Sequence, residues 1–231
     1  MKATQDISQH AFLFGSQKNI KAEWRHLHTS FGGVGLRKLL TEVVITRVNL
    51  FIQHYNTPST LGKKLTISLE ALRLEVGSDR CPLLIPYCPL GPLATSCWCR
   101  SFWESLDHYN FKLELDYDDL QLPREGDVLL IDIFLRANTD QEVLFSLQRC
   151  RIKWKAMFLS DLIASNGRQI ERRFLSMPTA NGIFSLGFAI EHPSPRDWAN
   201  WAKFWGHFTL PGLCFHAPLD KWVAAMHRHW E

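Results

Sequence analysis

No stretch of this 231-residue chain holds the roughly 20 apolar residues that a membrane-spanning helix needs. The opening "MKATQDISQHAF" lacks an apolar run of the length a secretory leader uses. The expectation is therefore a soluble, intracellular chain with no membrane contact. Paired C-x2-C knuckles are missing as well: Cys81, Cys88, Cys97 and Cys99 are spaced C-x6-C-x8-C-x-C, with Cys150 and Cys214 far away. That spacing does not build a structural zinc site, so the cysteines read as reduced thiols, mostly buried. An excess of one charge is lacking too. With 26 basic against 23 acidic residues, the net charge of +3 is too small to argue for a nucleic-acid or membrane partner.

Several catalytic and cofactor signatures also fail. There is no Gly-x-Ser-x-Gly elbow. Gly32, Gly33 and Gly35 in "SFGGVGLRKLL" resemble the start of a dinucleotide loop, but Lys38 stands where the third glycine belongs. In "LGKKLT", Gly62-Lys63-Lys64 has no glycine five residues earlier, so it is not a phosphate-cradling Walker loop. The pairs His26-x-His28 and His227-x-His229 have no third ligand at a recognised interval. No catalytic residue, metal-ligand set or cofactor site is nominated. Internal repeats and low-complexity tracts are absent from the sequence.

What is present is a large apolar load, 46% hydrophobic with nine tryptophans, enough for a packed core. Its spacing is mostly helical. Leu36, Leu39, Leu40, Val43, Val44, Val48, Phe51, Ile52 and Tyr55 recur at three- and four-residue steps. "NTPST" ends that helix, and Ser59 or Thr60 caps a second one carrying Leu61, Leu65, Leu69, Leu72 and Val76 as far as Gly77. The proline-dense "CPLLIPYCPLGPLAT" reads as an ordered connector between lobes. Thr95 or Ser96 then caps a helix bearing Trp98, Phe102, Trp103, Leu106 and Tyr109, and "FKLELDY" alternates as a short strand. Asp127 suits a helix cap, although "VLLIDIFL" fits either a helix or a buried strand.

A long helix is predicted from about Asp140 to Asn166, closed by Gly167, and a short one over "RQIERRFL". In "SPRDWANWAKFWGHF", Ser194 caps, Pro195 takes the first position, and Trp198, Trp201 and Trp205 share one face. The fold class is thus mainly α: helical, bundle-like lobes over 1–80 and 81–231, or one continuous domain, with at most one or two short strands.

The candidate binding residues lie in "QRCRIKWKA". On a helical wheel Arg149 and Lys153 line one edge of the apolar stripe, and Arg151 and Lys155 the other. Such side chains cover apolar surface with their stems while the charged heads stay in water. The competing reading is a phosphate-contacting ridge joined by Arg168, Arg172 and Arg173, which would hold an RNA or DNA backbone without reading bases.

The stretch "HAFLFGSQKNIKAEWRHLHTSFGGVGLRKL", with Phe12, Leu13, Phe14, Gly15, Trp24, Gly32, Gly33, Gly35 and Leu36, resembles a segment that follows the polymerase core in reverse transcriptases of non-LTR retrotransposons. Phe14 stands where that family more often has tryptophan. "GPLATSCWCRSFWESLDHYNF", "LPREGDVLLIDIF" and "QRCRIKWKAMFLSDLIASNGRQI" look like the downstream region of such elements in unicellular eukaryotes. The resemblance implies a thumb-like N-terminal part that grips RNA or a primer duplex in a parent RNA-directed DNA polymerase. In that family the metal-binding aspartates, aromatic-x-Asp-Asp, lie before the Phe-Leu-Phe-Gly-like segment. Tyr117-Asp118-Asp119 lies after it, and its tyrosine touches the first aspartate directly. It reads as a solvated polar turn, and the palm is missing from the chain. The alternative is a host helical module that docks a protein through an exposed Trp198, Trp201 and Trp205 face.

Overall fold

A computed structural model of the chain describes Ser30 and residues 39–137, 140–177, 192–215 and 219. It is mainly helical, with no sheet among the described residues. The contacts divide the chain into two compact units, Met1–Thr66 and Ile67–Glu231. The division falls inside a helix, whereas the sequence suggested a break in the proline-rich connector.

In the first unit, α1 (Leu39–His54) buries Val44 and Phe51, seven residues apart on one stripe. It stops where Asn56 turns left-handed at φ 55°, and the carbonyl of His54 accepts from both Thr57 N at 3.1 Å and Thr57 Oγ1 at 2.8 Å. Ser59 Oγ then accepts from Gly62 N at 3.0 Å, the cap expected for α2 (Thr60–Val76). Gly62 is required there, since a Cβ would sit 2.3 Å from the Thr57 carbonyl oxygen.

In the second unit α2 ends at Gly77, φ 78°, as the sequence indicated. The connector is ordered, with short 3-10 turns at Pro82–Leu84 and Gly91–Leu93. It packs on α3 (Trp98–His108), where the buried Trp103 donates its indole N–H to Ile85 O at 2.8 Å. Neither Thr95 nor Ser96 caps α3; the Cys97 sulfur does, accepting from Arg100 N at 3.4 Å. Thr95 is instead engaged by the buried Glu75 carboxylate, through its N–H at 2.7 Å and its hydroxyl at 3.2 Å. A buried carboxylate needs such donors more than a helix end open to water does.

"FKLELDY" is extended but belongs to no ladder. Its period-two pattern survives as exposure: Leu113, Leu115 and Tyr117 are half-buried, while Lys112, Glu114 and Asp116 are exposed. The pattern is that of a strand, and among the described residues no second strand pairs with it.

The ambiguous "VLLIDIFL" resolves as the short α4 (Leu130–Arg136), with Leu129 at its cap position in place of Asp127. Asp127 Oδ1 accepts from Val128 N at 2.9 Å and Ser160 N at 3.2 Å, tying the approach to α4 to a later loop. The predicted long helix is cut short. α5 (Gln141–Trp154) ends where Lys155 turns left-handed at φ 55°, with Lys155 N bonded to Ile152 O at 2.9 Å and Ala156 N to Arg151 O at 3.1 Å. This is the Schellman pair of bonds, made with lysine in the place glycine usually takes. Beyond it come a 3-10 turn at Leu159–Asp161 and a tight turn at Gly167. Met157, Phe158 and Leu162 are buried all the same. "RQIERRFL" contributes the 3-10 turn Arg172–Leu175.

The last described helix, α6 (Pro195–Phe208), starts as the sequence indicated. Ser194 Oγ accepts from Asp197 N at 3.2 Å, and Asp197 Oδ2 accepts from Ser194 N at 2.7 Å, closing the capping box. Its aromatic face packs on α5 and α4. Phe134 from α4 meets Trp201, Phe204 and Trp205 edge to face, with centroids 5.9, 5.3 and 6.1 Å away.

Candidate nucleic-acid interface

The six basic residues singled out in the sequence separate into three kinds of environment. Arg151 is buried, at 1% exposure. Its guanidinium donates to Leu74 O at 3.0 Å, Glu75 O at 2.5 Å, Ala156 O at 3.0 Å and Gln148 Oε1 at 2.9 Å. Leu74 and Glu75 belong to the last turn of α2, whose carbonyls have no intrahelical donor. Arg151 caps that helix from inside, and it takes no part in a solvent-facing ridge. Burial lowers its pKa to about 10, with Glu75 and Asp161 opposing, so it stays charged at neutral pH. Gly77 makes room for it: a Cβ there would lie 2.9 Å from Arg151 Cζ.

Arg149 is about one-quarter exposed and clamps α5 to α6. Its Nε and NH2 donate to the two oxygens of Asp197 at 3.2 and 2.6 Å. Burial by itself would raise the Asp197 pKa. Hydrogen bonds from Arg149 and Ser194 outweigh it and hold the carboxyl well below the usual range. A carboxyl with a depressed native pKa gives stability that is complete above its unfolded pKa, near 4, and is lost as pH falls toward the native value. Asp197→Asn is expected to cost about 2 kcal/mol at pH 7, allowing for the partial exposure of Arg149, and to make the urea midpoint less pH-dependent below pH 4. A variant as acid-sensitive as the parent protein would show that the clamp is not what titrates.

The remaining four residues keep access to solvent. Lys153 is half-buried and Lys155 exposed at the end of α5; Arg172 and Arg173 are exposed on the later 3-10 turn. The two segments meet through Trp154 and Phe174, whose rings cross at 80° with centroids 4.9 Å apart. The Arg173 guanidinium lies 4.7 Å from the Phe174 centroid, with Nε 2.6 Å from Glu171 Oε2. One aromatic contact thus joins two segments that each carry basic residues. Cations at the end of α5 also complement the helix dipole, an ordinary reason for lysines to stand there. Arg168 is exposed on the intervening turn. Trp154 lies within the helix predicted from about Asp140 to Asn166, seven residues after the buried Leu147, but nothing in the spacing of "RQIERRFL" marks Phe174 as its partner.

Comparison of the chain with protein-family models, curated proteins and solved structures finds no match.

Among the other sequence candidates, Asp118 and Asp119 are exposed, as expected of a polar turn. Tyr117 donates its hydroxyl to Glu70 Oε1 at 2.5 Å, and Arg73 NH1 donates to Asp118 O at 2.9 Å, so the segment is docked on α2. The described residues contain no group of three or more His, Cys, Asp or Glu side chains placed to hold a metal ion. Both His-x-His pairs, the Gly32–Gly35 stretch and nearly all of residues 10–39 lie outside the described residues. Trp198, Trp201 and Trp205 are buried at 9%, 0% and 0% exposure, so the aromatic face proposed for docking is interior.

All six cysteines are free thiols. Cys81, Cys99 and Cys150 are buried, Cys214 is intermediate, and Cys88 and Cys97 are exposed. Burial raises the pKa of Cys81 to about 11 and of Cys99 to about 12, and it raises that of Cys150 as well. A cavity of about 290 Å³ that the sequence did not suggest is lined by residues including Leu83, Trp103, Leu106, Phe111, Lys112 and Leu113.

Proposed function

We propose that this chain is a non-catalytic part of a non-LTR retrotransposon reverse transcriptase, from the region that follows the polymerase palm, and that it binds RNA or DNA through phosphates. The lineage rests on the Phe12-Leu13-Phe14-Gly15 and Gly32-Gly33-Val34-Gly35 motifs and on the downstream stretches. The binding reading is supported by one observation: the Trp154–Phe174 contact joins the segment carrying the half-buried Lys153 and exposed Lys155 to the one carrying the exposed Arg172 and Arg173. Backbone contacts of this kind fix register without reading sequence.

Binding of this sort releases condensed counterions, about 0.9 per phosphate neutralised on duplex DNA. With three phosphates contacted, affinity is expected to fall roughly 40-fold between 50 and 200 mM salt. Arg172→Ala with Arg173→Ala should flatten the log–log salt slope by about 2, whatever the base sequence. Fluorescence anisotropy with a labelled duplex and a labelled RNA measures both. Binding that ignores salt, or no binding at low salt, defeats the proposal. The lineage has its own test: the reading frame upstream of the Met1 codon should encode aromatic-x-Asp-Asp.

A further inference from the structure

The extended segment between α3 and α4 has an edge that no described residue covers. Lys112, Leu113, Glu114 and Leu115 make no backbone hydrogen bond among the described residues. The segment is held on both sides of them, by Phe111 N to Leu106 O at 2.9 Å and by Leu120 N to Asp79 O at 2.8 Å. Residues 112–115 contain neither glycine nor proline, their exposure alternates with period two, and both of their charged side chains, Lys112 and Glu114, are exposed. An extended, anchored backbone with open donors and acceptors is a template for an added strand.

The sequence of this edge is complementary to itself. We propose that it pairs with the same segment of a second copy of this chain, antiparallel about Leu113, forming a two-stranded ladder across a two-fold axis. In that register Lys112 faces Glu114 of the partner subunit, Glu114 faces Lys112 of the partner subunit, and Phe111 faces Leu115 of the partner subunit. Opposite charges meet at both ends of a Leu113–Leu113 centre, and apolar residues meet on the other face of the ladder. The backbone agrees with this register. The Phe111 N–H is already engaged by Leu106, so Lys112 and Glu114 must form the hydrogen-bonded pairs, and their N–H and C=O groups are unengaged among the described residues. Phe111, Lys112 and Leu113 also border the 290 Å³ cavity, so the partner's Leu115 arrives at an apolar margin. The ladder is short, and an interface below about 1,200 Å² is weak and transient, so the dimer forms in a concentration-dependent way.

The test is sedimentation equilibrium on the full chain over a concentration series at low salt. The unaltered protein should show a reversible monomer–dimer equilibrium. Lys112→Glu places like charges opposite each other twice, as does Glu114→Lys, and each change alone should weaken the dimer at least tenfold. An equimolar mixture of the two variants should recover dimer, because every pair across the axis is then opposite in charge; the double exchange K112E/E114K should recover it as well. Both residues are exposed, and an unchanged far-UV circular dichroism spectrum confirms folding. A protein that stays monomeric throughout, including one that pairs only with strands of other proteins, overturns the proposal. Single variants that dimerise like the parent, or a mixture that stays monomeric, overturn it too.

Discussion

Arg151→Met is expected to destabilise the second unit by about 3–5 kcal/mol, a large share of the total stability of an ordinary domain. Methionine keeps much of the stem's volume, so the loss is of hydrogen bonds. The Leu74, Glu75 and Ala156 carbonyls lose their guanidinium donor in a place water does not reach. Gln148 Nε2 still donates to Glu75 O, which limits the damage at that one oxygen. Arg151→Lys keeps the charge but lacks the planar fork, and it is expected to recover little. Guanidinium chloride unfolding followed by tryptophan fluorescence measures both variants. A loss below 1 kcal/mol would mean that the carbonyls find other donors.

Trp201→Ala is the second large effect, with an expected cost of about 3–5 kcal/mol. The side chain is fully buried, meets Phe134 and Trp205 edge to face, and donates its indole N–H to Phe174 O at 2.7 Å. Removing it opens a cavity between α4 and α6 and leaves that carbonyl without its donor. Trp201→Phe separates the two contributions, since it keeps most of the ring packing and should cost about 1–2 kcal/mol. Trp98 provides the contrast: it is 37% exposed and stacks on Phe102 on one side, so its alanine variant should stay within about 1 kcal/mol. Equal losses at Trp98 and Trp201 would contradict the packing described.

The parts that could be read from sequence are those whose signals are local. α6 has its cap, its first-turn proline and acid, and its aromatic face within fifteen consecutive residues, and all of these act there as their spacing implies. The same holds for Ser59 ahead of α2 and Gly77 behind it. The end of α5 was hidden because the apolar spacing continues through Met157, Phe158 and Leu162, while the residue that stops the helix is a left-handed lysine. Gly167 looked like the stop and instead closes a tight turn farther on.

The binding candidates divide in the same way. Arg149, Arg151, Lys153 and Lys155 have equivalent places on a wheel. What separates them is the orphaned end of α2 beneath one, Asp197 across from another, and an exposed position for the last. Those neighbours come from distant parts of the chain, and periodicity carries no information about them.

The sulfur atoms carry a consequence for oxidative chemistry. The thiolate is the nucleophile that attacks peroxides and alkylating agents, and burial keeps Cys81, Cys99 and Cys150 in the thiol form. The first adducts should therefore form on Cys88 and Cys97, at the surface of the connector and at the start of α3. Damage there leaves the interior intact, and a modified Cys150 marks a molecule that has already come open.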